Sequence, residues 1–172
     1  MDFLIQNGVV VNAEGSARTD VLVQNGCIAA MGEGLACVNA VRINAEGCFL
    51  LPGFIDTHTH FDLDTGSART AGDFVTAVLG GTTAVLDFAT QERGGTLVQA
   101  FDTWQEKARG CSCNYGFHMA IAEWNDKTAA ELPEMTRRGV TSYKLYMVYD
   151  ALRVDDGAIY AALKAAKNEG AL

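Results

Sequence analysis

Leu51-Pro52-Gly53-Phe54-Ile55-Asp56-Thr57-His58-Thr59-His60 is the stretch on which the reading of the 172-residue chain turns. Pro52 and Gly53 interrupt the chain, and a short apolar run then leads into His58-Thr59-His60. Side chains of a β-strand alternate between faces, so His58 and His60 project to one side, about 7 Å apart along the strand. Two imidazoles so placed can grip one metal ion without bending the backbone. Asp56 shares their parity and could orient a ligand or lie beneath the site as an acceptor. The pattern by itself also suits two polar residues at a strand end. Position favours the metal reading, because the motif closes an apolar strand and the site of a parallel α/β barrel lies at that end.

Downstream of the motif, strand and helix patterns alternate. Thr70 with Asp73 resembles a capping box opening a helix that stops at Gly80-Gly81. Thr82–Ala89 reads as a strand, Thr96–Arg109 as a helix ending at Gly110, and Tyr115–Ala122 as a strand. Asp126–Arg138 is helical up to Gly139, Thr141–Val148 is a strand, and Asp155 caps a helix that reaches Glu169 and stops at Gly170. Strand starts near 54, 82, 115 and 141 recur at roughly 30 residues, the size of a βα unit. Four such units imply a parallel sheet covered by helices. A doubly wound sheet and a barrel both fit that pattern, and the absence of Gly-x-Gly-x-x-Gly after the first strand counts against the dinucleotide-binding version. Gly170-Ala171-Leu172 repeats the Gly-then-apolar opening of the earlier strands, so the chain reads as the first half of a (β/α)8 TIM-type barrel, which needs about 200 residues or more for eight units.

Upstream, the texture is β-rich. Residues 2–12 read as two short strands joined in a hairpin at Asn7-Gly8, and residues 20–31 repeat the theme around Asn25-Gly26. Val41–Leu51 adds a strand or two around Glu46-Gly47. The expectation is a small antiparallel β layer, part of a β-sandwich domain over residues 1–51, followed by the barrel units over residues 52–172.

Apolar residues at 49% and charged residues at 20% suit a soluble globular protein. A net charge of −8 without a basic cluster argues against nucleic acid or an anionic membrane as partner. No apolar run approaches the ~20 residues of a membrane span, and the first residues lack the pattern of a signal peptide. Cys27, Cys37, Cys48, Cys111 and Cys113 are odd in number, so reduced thiols in a cytoplasmic setting are expected, and Cys111-x-Cys113 reads as structural thiols rather than a metal or redox pair.

Lys144 is the second anchor of function. It sits inside Thr141-Ser-Tyr-Lys-Leu-Tyr-Met-Val148, where the pattern wants an apolar or small residue. Burial favours the neutral form of a lysine, and a neutral amine can react with carbon dioxide to give a carbamate, an anionic ligand able to bridge two cations. The plainer reading is an ammonium that escapes at the strand end or pairs with a carboxylate. In company with His58 and His60, the carbamate is preferred. Tyr149 follows the strand and could donate to a carbonyl oxygen gaining negative charge, or serve as an aromatic rim. Asp87, at the end of the second strand, reads as a partner beneath the site or a carboxylate facing water. His118 is mid-strand and reads as a satisfied core or helix-facing imidazole rather than a ligand.

Pro52-Gly-Phe-Ile-Asp-Thr-His-Thr-His-Phe-Asp-Leu63, Gly80-Gly-Thr-Thr-Ala-Val-Leu-Asp-Phe88 and Ser142-Tyr-Lys-Leu-Tyr-Met-Val-Tyr149 together resemble the dihydropyrimidinase/hydantoinase branch of the amidohydrolase superfamily. The resemblance covers the whole chain. It implies a barrel with a β-sandwich drawn from both ends of a longer polypeptide, two zinc ions (Zn2+), and a homotetramer. His58 and His60 match the ligands of the more buried ion, Lys144 the carboxylated lysine that bridges both, and Tyr149 the tyrosine that steadies the substrate oxyanion. The loops Phe61–Arg69, Gln91–Gly95 and Asp150–Asp156 match those that shape the pocket for a ring substituent. Two further histidines and a catalytic aspartate would lie beyond Leu172, so these residues alone are expected to be inactive. The implied reaction is hydrolytic opening of a cyclic ureide, dihydrouracil or a hydantoin, to an N-carbamoyl amino acid. Dihydroorotase-like sequences tend to place an arginine just after the histidine pair, whereas Phe61-Asp62-Leu63-Asp64 follows here, and allantoinases usually lack the tyrosine at the place of Tyr149. A relative that keeps the fold but serves as a non-catalytic assembly protein is the reading from another class, and retention of His58, His60, Lys144 and Tyr149 argues against it.

Overall fold

In the computed structural model, which describes residues 1–61, 63, 64, 69, 70 and 79–172, the chain divides into two units, Met1–Pro52 and Gly53–Leu172. The first holds β1 (Phe3–Gln6), β2 (Val9–Asn12), β3 (Gly15–Arg18), β4 (Asp20–Gln24), β5 (Cys27–Gly32), β6 (Val41–Asn44) and β7 (Phe49–Leu50). They form two sheets, in the orders β5-β4-β1-β6 and β3-β2-β7. Asn25 and Gly26 both take positive φ, 52° and 78°, and make the two-residue hairpin that their sequence announces, closing Gln24 against Cys27.

Asn7-Gly8 does something else. Asn7 is left-handed too (φ 67°), yet β1 pairs with β4 and β6 while β2 pairs with β3 and β7. The turn is a corner between two sheets, not a hairpin. Its amide donates to Asp20 Oδ1 (3.3 Å) and its side chain to Asn44 Oδ1 (2.9 Å), so longer-range partners set the direction of the chain. The expected antiparallel layer is also mixed, since β1 with β6 and β2 with β7 run parallel. Sequence reasoning did not foresee β3. Gly15-Ser16-Ala17-Arg18 has no β-branched residue, and its pairing follows from the turn in which Asn12 Oδ1 accepts from the amides of Glu14 and Gly15.

The second unit contains β8 (Phe54–Thr59), the short antiparallel pair β9 (Leu63–Asp64) and β10 (Arg69–Thr70), β11 (Thr82–Thr90), α1 (Leu97–Lys107), β12 (Asn114–Ile121), α2 (Asp126–Arg137), β13 (Tyr143–Leu145) and α3 (Asp156–Asn168). Its main sheet has the order β13-β12-β11-β8, with every pair parallel, so neighbours in sequence are neighbours in space. The helices begin at their sequence caps. Thr96 and Gln99 form a full capping box on α1, Asn125 Oδ1 accepts from Lys127 and Thr128 on α2, and Asp155 accepts from Ala158 on α3. Thr70 pairs with Leu63, and residues 71–78 of the helix expected after it lie outside the described residues.

β13 is three residues long where eight were expected. Its ladder to β12 runs out because Ile121, the last residue of β12, is already opposite Leu145. Beyond it the chain turns back, and Tyr146 makes a single bridge to Arg153. On the other edge of β13, Leu172 donates to Thr141 O (2.9 Å) and accepts from Tyr143 N (2.8 Å), the place of a further parallel strand.

The helix side of this sheet is the core. Ala89, Phe117, Met119 and Ile121 from the strands meet Leu97, Ala100 and Phe101 of α1 and Leu132 and Met135 of α2, all buried. Gly53 allows the close approach at which β8 enters the sheet. A Cβ there would fall 1.9–2.6 Å from the side-chain atoms of Thr83, a β-branched residue that cannot swing far aside.

Candidate functional site

The strand register decides which side chains share the inner face of the sheet. Phe88 is opposite His118, and Thr90, Ala120 and Lys144 lie in one row. Alternation then puts His58, His60, Phe88, His118 and Lys144 on the face away from the helices.

They gather on one ring. Phe88, buried, has His58 at 4.6 Å, His60 at 5.0 Å and His118 at 4.9 Å between ring centroids, and Lys144 Nζ 4.1 Å from its centre. The rings of His58 and His60 are 5.1 Å apart and nearly perpendicular. A hollow of about 440 Å³ is lined by His58, Phe88, His118 and Lys144 with Thr57, Tyr143 and Leu145. Lys144 is half-buried rather than enclosed, and its ammonium position lies between the faces of Phe88 and Tyr146, the latter at 4.9 Å. Phe88 escaped the sequence reading. The signal was there in its parity with Thr90, but a phenylalanine in a β-strand reads as ordinary core.

The strand end carrying the histidines is held by backbone contacts. Thr59 Oγ1 donates to Leu86 O (3.0 Å), and Asp87 Oδ2 accepts from the amide of Phe61 (2.7 Å), one residue past His60. Asp87 is 3% exposed, which removes the reading of a carboxylate facing water. Burial pushes its carboxyl above the ordinary 3.8, while the amides of Phe61 and Phe88 and the charges of His60 and Lys107 pull it back. Asp56 Oδ1 accepts from the amide of His58 (3.0 Å), fixing the turn of the strand rather than an imidazole.

Burial lowers the pKa of His60 below its ordinary 6.5, with Lys144 and His58 adding to the effect and Asp87 opposing it. A lowered value keeps the imidazole neutral, the form that binds metal. His118 has both nitrogens engaged. Nε2 must donate to the Thr57 carbonyl (2.9 Å), and Nδ1 meets Ser142 Oγ at 2.5 Å. It braces the histidine strand against the lysine strand and has no lone pair to offer an ion.

Tyr149 lies apart from this group. It is 70% exposed, its ring is 6.1 Å from that of Tyr146, and it does not line the hollow. Its φ of 70° is left-handed, a conformation that costs a bulky residue of order 1–3 kcal/mol and persists where surroundings enforce it. Leu152 and Arg153 both donate to its carbonyl at 2.8 Å.

Among the described residues no cluster of three or more His, Cys, Asp or Glu could hold a metal ion. The donors on the inner face are two imidazoles and one amine, a partial set that suits zinc only when further oxygen or nitrogen ligands join it. Cys111 and Cys113 are free thiols with sulfurs 3.5 Å apart. Burial and the neighbouring Cys111 thiol raise the pKa of Cys113.

Residues 49–172 match the amidohydrolase family. The chain belongs to that family. As an amidohydrolase it is 42% identical over 179 residues to D-hydantoinase of Geobacillus stearothermophilus, covering all of this chain and 38% of that protein. It is 38% identical over 182 residues to dihydropyrimidinase of Rattus norvegicus, with 98% of this chain and 35% of that protein covered. The crystal structure of dihydropyrimidinase from Brevibacillus agri superposes with a TM-score of 0.94 at 39% identity, over 99% of this chain and 39% of that one. The chain thus spans under two-fifths of the length of these relatives. The parallel strands and helices of Gly53–Leu172 are βα units of the amidohydrolase barrel, and the two small sheets of Met1–Pro52 accompany them. No helix among the described residues is long and apolar enough to cross a membrane.

Proposed function

We propose that this chain carries the first metal-gripping strands of a cyclic amidohydrolase that opens dihydropyrimidines or hydantoins to N-carbamoyl amino acids. The observation that carries the reading is the convergence of His58, His60 and Lys144 on the Phe88 ring, in a chain so similar to D-hydantoinase and dihydropyrimidinase. His58 and His60 would hold one zinc ion, and Lys144, carboxylated on Nζ, would bridge it to a second. When bound, the ions supply an activated water and polarise the amide carbonyl.

The residues of this chain prepare that site. Asp87 and Thr59 fix the strand end so that both imidazoles face inward, and His118 sets the spacing between the histidine and lysine strands. Tyr149 donates its phenol proton in a hydrogen bond to the carbonyl oxygen as that oxygen gains negative charge. Water oxygen adds to the carbonyl carbon, the ring C–N bond breaks, and the proton goes to the leaving nitrogen. Two histidines and a lysine are too few for two ions, because a catalytic zinc by itself takes about three protein ligands. The 172 residues are therefore expected to be inactive in isolation, with the whole protein a cytoplasmic homotetramer.

The test is hydrolysis of dihydrouracil and of a 5-monosubstituted hydantoin by the whole protein, before and after chelation. Activity lost on chelation and restored by zinc is expected. Turnover indifferent to chelation would refute the metal assignment, and hydrolysis of dihydroorotate alone would refute the substrate class.

A further inference from the structure

The turn that carries Tyr149 has little sheet to hold it. β13 ends at Leu145, and the turn beyond it bonds chiefly to itself, from Leu152 and Arg153 to Tyr149 O and from Val154 to Tyr146 O (3.0 Å). Among the described residues, the side-chain hydrogen bonds that reach it from another element all come from Arg93. Arg93 Nε donates to Ala151 O (2.9 Å), and Nη2 donates to Arg153 O (2.7 Å) and, at the limit, to Asp150 O (3.5 Å).

Arg93 is itself firmly presented. It sits in the loop after β11, and that loop is tied at both ends. Gln91, fully buried, donates to Gly95 O (3.0 Å) and accepts from the amides of Ala122 (3.2 Å) and Glu123 (3.1 Å). Glu123 Oε2 accepts from Gly94 N (2.7 Å), and Gly95 N donates to Glu92 O (2.9 Å). A guanidinium suits the task because its planar fork satisfies several carbonyls at fixed angles, which the single head of a lysine cannot do.

We infer that Arg93 is the positioning residue of Tyr149, its clasp on the carbonyls of Ala151 and Arg153 holding the left-handed turn in a single conformation. This rests on the reading of Tyr149 as an oxyanion donor. Without the clasp the turn samples other conformers, and a phenol displaced by about 1 Å loses much of its effect on rate.

A double-mutant cycle in the whole protein tests it, using a 5-monosubstituted hydantoin as substrate, with metal content and thermal midpoint measured on every variant. Arg93→Ala should lower kcat roughly 10- to 100-fold, with KM and metal content little changed. Millimolar guanidinium should restore part of the loss, and Arg93→Lys should retain part of the rate. On a Tyr149→Phe background the Arg93→Ala loss should vanish, because there is then no phenol left to position. Amide hydrogen exchange at Leu152 and Arg153 should accelerate in Arg93→Ala. A loss that is equal on both backgrounds, or no loss in Arg93→Ala while Tyr149→Phe is slow, would overturn the role of Arg93 alone. An unaltered kcat in Tyr149→Phe would overturn the Tyr149 assignment and this inference with it.

Discussion

The two faces of the β13-β12-β11-β8 sheet differ in chemistry although β11 and β12 contribute to both. Toward α1 and α2 the strands present Ala89, Phe117, Met119 and Ile121, which are closed over by Leu97, Phe101, Leu132 and Met135. Away from the helices they present His58, His118 and Lys144 around Phe88, facing a hollow. Alternation at every second residue makes this division possible: one set of positions answers to packing, the next to chemistry. The helix face supplies stability, and the inner face is free to hold groups that a core would reject.

The largest effect should come from the inner face. Lys144→Ala in the whole protein should abolish turnover and strip bound metal, while shifting the stability of the metal-free form by less than about 1 kcal/mol, as for a substitution outside a packed core. Short carboxylic acids should restore part of the activity by supplying the missing oxygens. A metal-free unfolding midpoint that falls as far as in a core mutant would break the division between the faces.

Next comes the helix face. Leu132, 1% exposed, is packed within the cluster, and Leu132→Ala should cost about 2–5 kcal/mol in denaturant unfolding. Metal content of the folded fraction should stay unchanged. Loss of metal at concentrations of denaturant where the protein is still folded would show that the faces are coupled.

Gly53→Ala tests the point where β8 enters. The added methyl collides with Thr83, so a loss of about 1–3 kcal/mol is expected, and Thr83→Ser combined with it should recover part. An additive pair would mean that the collision is relieved elsewhere.

The smallest effect lies on the outer surface of the helix layer. Arg138 joins Glu134 at 2.7 Å to Asp102 of α1 at 2.6 Å, clamping α2 to α1. Hydrogen bonds from Arg138 and Arg137 hold Glu134 below its ordinary 4.5. A carboxylate depressed on folding adds stability above its unfolded value and loses it as pH falls through the lowered one. Wild type should therefore exceed Glu134→Gln slightly at neutral pH, and the difference should fade below about pH 4.5. Urea midpoints at about pH 7 and pH 3 check the sign.

Much of this was legible because it depends on period and on caps. His58 and Lys144 stand on strands, with His60 one residue past β8, and Thr96 and Asp155 mark their helix starts through short side chains, whereas Asn125, the cap of α2, was not foreseen. What failed depends on partners far along the chain. Asn7-Gly8 carries the local chemistry of a hairpin, but Asp20 and Asn44 turn it into a corner. β13 is short because β12 ends, which no property of residues 141–148 reveals. Arg93 leaves no pattern in sequence, since its partners are backbone carbonyls. Phe88 as a platform was hidden behind its own ordinariness, and the division into two reading frames on β11 exposes it only once His118 is known to lie opposite.

If the inner face is a metal site with Lys144 as its third donor, bound zinc must depend on that residue. The most direct measurement is the zinc content of the whole protein purified with zinc and bicarbonate, set beside Lys144→Ala prepared identically and with carbon-13 bicarbonate to label a carbamate. Two ions per chain and a labelled carbamate are expected in the wild type, with both lost from Lys144→Ala. Equal zinc in the two proteins, or a free amine at Lys144 in the zinc-loaded wild type, would contradict this role for Lys144.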